Sequence, residues 1–178
     1  MAWRGTRIGR LAGAAALVLA VPLLAGATGR LTRLDERLLA AQNRERDAVG
    51  LAPLAWDPEL AKDAAAWAAR LAAAGAIEHE EETGDAETSE GENLWQGTKG
   101  AFGPEAMVGL WLAEKKDFRV GAIPQVSRTG RFEDVGHYTQ IVWRDTGRVG
   151  CALAAGARDE MLVCRYRTAG NVEGERPF

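Results

Sequence analysis

Apolar positions return every three or four residues over three stretches of the chain, and in alternation or short runs near its end. Leu34, Leu38 and Ala41, with Leu39, Gln42, Arg46 and Val49, form a helical stripe, which Thr32 is expected to cap and Gly50 to stop. Leu51–Trp56 is a short connection. Asp57-Pro58 then opens a second helix: Asp is a capping acceptor, and Pro at the first position lacks only an N–H that would go unpaired there. Leu60, Ala64, Trp67, Ala68 and Leu71 share one face, and the Ala-rich run to Ala74 favours helix until Gly75. A third helix is expected from Gly103-Pro104, with Met107, Leu110, Trp111 and Glu114 at helical spacing. Lys115 and Lys116 stand at its C-terminal end, where the helix dipole favours cations.

Beyond a loop-like Ala122–Phe132, the segment His137–Trp143 alternates and predicts a strand. His137, Thr139, Ile141 and Trp143 would face one way, and Tyr138, Gln140 and Val142 the other. Val149–Leu153 and Met161–Tyr166 predict a hairpin turning at Ala154–Glu160; the tail from Arg167 is irregular. Helices first and strands last predict an α+β domain rather than alternating βαβ units.

The N-terminus follows a different pattern. Arg4, Arg7 and Arg10 precede an apolar run from Leu11 to Ala25, followed by Gly26-Ala27. This reads as a secretory signal peptide over residues 1–27, leaving 28–178 as the folded domain. The run is short for a stable span, which needs roughly 20 residues; an uncleaved anchor is the alternative. The expectation is a secreted or periplasmic protein that meets the membrane only through this segment. Export changes the reading of the two cysteines, Cys151 and Cys164. In an oxidising compartment they can pair across the predicted hairpin, and two buried thiols are the alternative.

Composition narrows the rest. The chain has 178 residues, 47% hydrophobic and 26% charged, which fits one globular domain. A net charge of −3 gives no basic footprint for nucleic acid, and two cysteines are too few for a Cys₄ zinc site. Glu78–Glu92 holds eight acids and no Lys or Arg, and reads as a solvated loop that could also attract cations or basic partners.

Candidate chemistry is sparse. Ser89 and Ser127 are the only serines, in polar loops, and no G-x-S-x-G elbow is present. The Gly97–Gly100 stretch has neither Walker nor dinucleotide-binding spacing. The two histidines, His79 and His137, admit a metal or acid/base site, or two solvent-exposed or locally bonded rings. No H-E-x-x-H spacing supports the metal reading locally.

Several segments together carry a family resemblance. Gly136-His137-Tyr138-Thr139-Gln140-Ile141-Val142-Trp143, Gly91-Glu92-Asn93-Leu94, Trp111-Leu112-Ala113-Glu114, Leu162-Val163-Cys164-Arg165-Tyr166 with Gly170-Asn171, and Asn43-Arg44-Glu45-Arg46 run in order along nearly the whole domain. The chain resembles the CAP superfamily of cysteine-rich secretory, antigen 5 and pathogenesis-related 1 proteins (the SCP domain), in a compact bacterial-type form. The resemblance implies an α-β-α sandwich with a central, mostly antiparallel sheet, and a cleft holding two His and two Glu. On this sequence those are His79, Glu92, Glu114 and His137. Imidazoles ligate zinc or another divalent cation well, and the carboxylates can be ligands themselves or fix the imidazole tautomers from behind. Relatives often carry His where Gln42 stands, and Pro or another small residue where Thr168 stands; the first change implies altered packing or hydrogen bonding outside the tetrad.

Three functions compete. The first is a non-enzymatic, monomeric binding module for a divalent metal, an apolar ligand such as a lipid or sterol, or both. Trp95, Trp111, Tyr138 and Trp143 are candidates to line an apolar cavity, and equally for the core. The second is a metal-dependent, peptidase-like hydrolase with Glu92 or Glu114 as general base. The third is a cell-surface interaction protein in which the tetrad only shapes the cleft.

Overall fold

The computed structural model describes residues 29–80 and 90–178. The expected signal peptide at 1–27 and positions 81–89 of the acidic segment, Ser89 included, lie outside the described residues. Among the described residues no helix is long and apolar enough to cross a membrane.

Helix α1 spans Leu34–Ala48. It starts later than a Thr32 cap would give. Arg33 takes the N-cap position in a left-handed conformation (φ 54) with no side-chain cap bond, and Asp35 and Glu36 supply the favourable first-turn charge. Strand β1, Ala55–Trp56, leads into α2, Pro58–Ala74, where Asp57 caps as expected by accepting from the N–H groups of Glu59 (3.0 Å) and Leu60 (3.3 Å). Gly75 ends α2 in the left-handed region. Strand β2 is Gly91–Thr98; α3 is Pro104–Leu112 and tightens into a 3₁₀ turn over Ala113–Lys116, and a second 3₁₀ turn covers Phe132–Asp134.

The next element corrects the sequence reading. Gly136–Ile141 is a short helix, α4, not a strand. Tyr138, Thr139, Gln140 and Ile141 are all buried and only Gly136 and His137 are partly exposed; a helix of fewer than two turns with four successive buried residues carries no amphipathic period to betray it. The Thr139 hydroxyl lies 3.1 Å from the carbonyl oxygens of both Val135 and Gly136, in keeping with the helical turn.

Strands β3, Arg148–Ala155, and β4, Asp159–Arg167, form the expected hairpin, with Cys151 directly opposite Cys164 and bridged to it. The sheet order is β1-β3-β4-β2; only β1 and β3 are parallel. Alternation sends Leu94, Met161 and Val163 to one face, where they meet Ala64, Ala68 and Leu71 of α2. Trp95, Leu162, Cys164 and Tyr166 go to the other, against Leu38 and Ala41 of α1, Met107 and Trp111 of α3, and Tyr138 and Ile141 of α4. The result is an α-β-α sandwich. A smaller core of Ile123, Val126, Val135 and Trp143 supports the long loop before α4.

Close approach explains one glycine. A methyl at Gly150 would stand 2.2 Å from the Ala61 nitrogen and 2.5 Å from the Asp57 carbonyl oxygen, so α2 packs its first turn directly on the β3 backbone.

The Asn43–Arg46 motif is structural. Asn43 exchanges two hydrogen bonds with the backbone of Leu54 (3.0 and 2.8 Å). Arg46, buried, donates to the carbonyls of Ala52, Ile141, Trp143 and Thr146 at 2.8 to 3.0 Å, tying α1 to the end of α4. Burial lowers its pKa, but no carboxylate is needed when carbonyl oxygens take up the guanidinium protons. Gln42 joins a buried polar chain as well: its Oε1 accepts from the Tyr166 hydroxyl (2.9 Å), which accepts from Asn93 (3.2 Å).

Candidate metal-binding cleft

Two arms built from different layers of the sandwich converge at the edge strand β2. The first is His137, set on α4. Its Nδ1 lies 2.6 Å from Glu114 Oε1, and Glu114 Oε2 accepts from the Tyr138 N–H at 3.0 Å. The 3₁₀ turn after α3 places Glu114 there. The His137 ring stacks on Trp111 (centroids 5.9 Å apart, planes at 15°), and the Trp111 indole N–H donates to the Leu94 carbonyl at 3.0 Å, pinning α3 to β2. A carboxylate and an aromatic face therefore fix both the position and the tilt of this imidazole.

The second arm is His79, on irregular chain just past α2. The Trp67 indole N–H donates to the Glu78 carbonyl (3.2 Å). His79 Nδ1 lies 2.8 Å from Glu92 Oε1, which also accepts from the Glu80 N–H at 3.3 Å. His79 is largely exposed, whereas Glu92 is only 9% exposed. The hydrogen bond to Glu92 raises the His79 pKa; burial opposes it, the Glu92 charge adds to it, and nearby Arg165 subtracts from it.

Both arms open on one cavity of ≈ 230 Å³, lined by His79, Glu92, Asn93, Glu133, His137 and Asn171, with Phe132 and Gly136 completing its wall. Glu92 and Asn93 point to opposite sheet faces, yet both reach the cavity because β2 is an edge strand. Asn171 donates to the Gly136 carbonyl (3.0 Å) and its Oδ1 accepts from Thr139 (2.6 Å), holding the start of α4. Gln140 accepts from the Gly170 N–H (2.9 Å) and donates to the Thr146 hydroxyl (3.2 Å), so the C-terminal segment and α4 move together.

The four residues taken from the family resemblance thus form two His–Glu pairs. His79, Glu92 and His137 line the cavity, while Glu114 stands behind His137. Each carboxylate occupies one Nδ1. Neither Nε2 has a protein partner among the described residues, the arrangement in which an imidazole offers its remaining nitrogen to a metal. Among the described residues no three His, Cys, Asp or Glu side chains converge as a closed metal cage. The donors that the cavity lining leaves without a protein partner among the described residues are the two imidazole nitrogens of His79 and His137.

Trp95, Trp111, Tyr138 and Trp143 are core residues, each 5% exposed or less, and do not line this cavity. Phe132, Glu133 and Arg165 were not singled out as site residues by sequence reasoning. Phe132 and Glu133 sit on a 3₁₀ turn without periodicity; the β4 register, which sets Arg165 opposite Glu92, could have pointed to the third.

Comparison with known proteins agrees with this architecture. The model of the cysteine-rich secretory protein family, CAP, matches residues 39–166. Pathogenesis-related protein PR-1 of Medicago truncatula is 35% identical over 80% of this chain and 78% of its own length. Pathogenesis-related leaf protein 4 of Solanum lycopersicum is 36% identical over 79% and 80%. Among solved structures, NaASP2 with Zn2+ aligns at a TM-score of 0.67 and 24% identity, over 80% of this chain and 83% of that one. An outer surface protein of Borrelia burgdorferi aligns at 0.54 and 16%, over 76% and 92%. With the family model spanning most of the chain and the relatives matching along most of their own length, the chain belongs to the CAP family of cysteine-rich secretory proteins.

Proposed function

We propose that this protein is an exported, non-enzymatic binding module whose cleft takes a divalent cation of the zinc type through Nε2 of His79 and His137. The observation that carries this reading is the paired geometry: each Nδ1 is engaged by a carboxylate, at 2.8 Å for His79 and 2.6 Å for His137, which leaves both free nitrogens on residues lining one cavity. A cation bound there would supply a Lewis-acidic point with open positions for an external oxygen or nitrogen ligand. The chain's own contribution is to fix both imidazoles in the tautomer with Nδ1 protonated.

Two further points favour binding over hydrolysis or lipid capture. Glu92 is engaged by His79 and the Glu80 N–H and lies against Arg165; Glu114 is engaged by His137 and the Tyr138 N–H, so neither stands free as a general base. The cavity is smaller than the roughly 300 Å³ at which drug-sized pockets begin, and the four aromatics that an apolar ligand would need are packed as core. Export is supported by the Cys151–Cys164 bridge, which persists in oxidising compartments. The fold is also one in which a neighbour was solved with Zn2+.

The test is zinc titration calorimetry on the protein and on the double variant His79→Ala, His137→Ala. Saturable one-to-one binding that disappears in the variant is expected. Binding of equal strength in both would overturn the reading, and so would no binding in the wild type.

A further inference from the structure

Arg165 faces Glu92 directly across the β2–β4 ladder, on the sheet face that carries α2. Its side chain is 11% exposed and is surrounded by three carboxylates: Glu80 in a short contact, Glu92 at 3.1 Å and Glu90 at 3.6 Å. The Arg165 Nε and the Glu92 Oε2 are buried, and neither has a hydrogen-bond partner. The two atoms lie 3.1 Å apart as an ion pair. Glu92 is thus held from two sides, with Oε1 on His79 and Oε2 on Arg165.

His79 itself lies on irregular chain. Among the described residues, the ties of this short segment are the Glu78 carbonyl on Trp67, the Glu80 N–H on Glu92, the Glu80 carboxylate on Arg165, and Glu92 on the ring. Two of the four are Glu92 contacts and a third is Arg165 itself. The His137 arm has no contact with Arg165; helix α4, Trp111 and Glu114 hold it.

We propose that Arg165 is a positioning residue for the His79 half of the cleft: it clamps Glu92 as a carboxylate and anchors Glu80, so that an exposed imidazole presents Nε2 to the cavity. Without the guanidinium, Glu92 Oε2 is a buried charge with no compensation, a costly state that it relieves by swinging toward solvent. That movement removes the acceptor that keeps the proton on His79 Nδ1. Because both Glu92 oxygens are engaged, Glu92 orients His79 rather than ligating the cation. The inference rests on the cation reading for one of its two readouts only.

The experiment uses the full chain in its metal-free form. Imidazole ¹H–¹⁵N correlation spectra at fixed alkaline pH distinguish the two ring tautomers. The chain has only two histidines, so the single variant His79→Ala assigns both signals. In the wild type both rings are expected with Nδ1 protonated. Arg165→Gln moves His79 toward the Nε2-protonated form and leaves His137 unchanged, while Arg165→Lys, which keeps the charge, restores part of the signature. Arg167→Gln is the control: Arg167 contacts Glu90 and Asp57 but not Glu92, and His79 keeps its tautomer. Titration with Zn2+ alone should show affinity lowered about tenfold in Arg165→Gln. An unchanged His79 tautomer in folded Arg165→Gln, or equal changes at both rings, would overturn the proposal. Should Arg165→Gln not fold, Glu80→Gln cuts the exposed tie and should shift His79 in the same direction; no shift there also counts against it. If the wild type binds no Zn2+ but the tautomer change is confined to His79, the cation reading falls and the positioning role stands.

Discussion

A methyl group placed on Gly91 would lie 1.9 Å from Oε1 of Gln140. That amide is buried and already engaged by the Gly170 N–H and the Thr146 hydroxyl. The first residue of β2, helix α4 and the C-terminal segment therefore meet at one point, next to the strand residues Glu92 and Asn93 that line the cleft. Gly91→Ala forces Gln140 out of these bonds. The expected loss is about 1–3 kcal/mol, the range for overpacking a filled site, read by urea denaturation. Because Gln140 anchors Gly170 beside Asn171, zinc affinity should fall too. Unchanged stability would show that Gln140 has room to retreat.

Among the described residues no acid neutralises the buried Arg46, and its partners are four backbone carbonyls. Arg46→Met keeps the aliphatic volume and strands those oxygens, with an expected cost of about 1–3 kcal/mol for each one left buried and unpaired. Arg46→Lys should recover little of it, since an ammonium cannot reach four acceptors laid out for a planar fork. A thermal melt of the two variants decides this; a Lys variant as stable as wild type would contradict it.

The His79–Glu92 pair has a pH signature. The folded pKa of His79 is raised above the ordinary 6.5 by its hydrogen bond to Glu92. A raised histidine pKa means that the folded state holds the proton more tightly than the unfolded chain. The resulting stabilisation is fully present below the unfolded value and is lost as pH rises through the folded value. The stability gap between wild type and His79→Ala should therefore be larger at pH 5.5 than at pH 8.5. A gap that grows with pH would show that the charged pair is not what His79 contributes. The same proton competes with a metal, so zinc affinity should be lower at pH 5.5 than at 7.5.

Cys151 and Cys164 sit in register on adjacent antiparallel strands, 13 residues apart in sequence. The double change Cys151→Ala, Cys164→Ala should cost on the order of 3 kcal/mol in the chain-entropy picture. The variant should keep its cleft, since neither sulfur lines it. Denaturation midpoints with and without reductant give the first quantity, and zinc titration the second. Loss of zinc binding in a folded variant would show that the bridge reaches the site.

The local rules were enough for much of the molecule. Asp57-Pro58 and Gly75 bound α2, and the Ala-rich face between them had one partner to find. The turn at Gly156–Arg158, tighter than the Ala154–Glu160 expected, sets the hairpin register that puts Cys151 opposite Cys164. These features depend on residues near one another in the chain, where capping, periodicity and turn chemistry act. Family motifs supplied the two His and two Glu.

Helix α4 lay beyond such rules, because Tyr138, Thr139, Gln140 and Ile141 are buried in succession and so short a helix shows no period that would name it. The division of labour in the site was equally hidden. That Glu114 stands behind His137, that Glu92 is shared between His79 and Arg165, and that Asn171 closes the start of α4 are contacts between residues 13 to 73 positions apart. Sequence determined which side chains were available and, at α2 and the β3–β4 hairpin, where helix and hairpin form. The packing of two helical layers on one sheet decided which side chains meet, because the edge strand β2 is the place where both layers reach the same space.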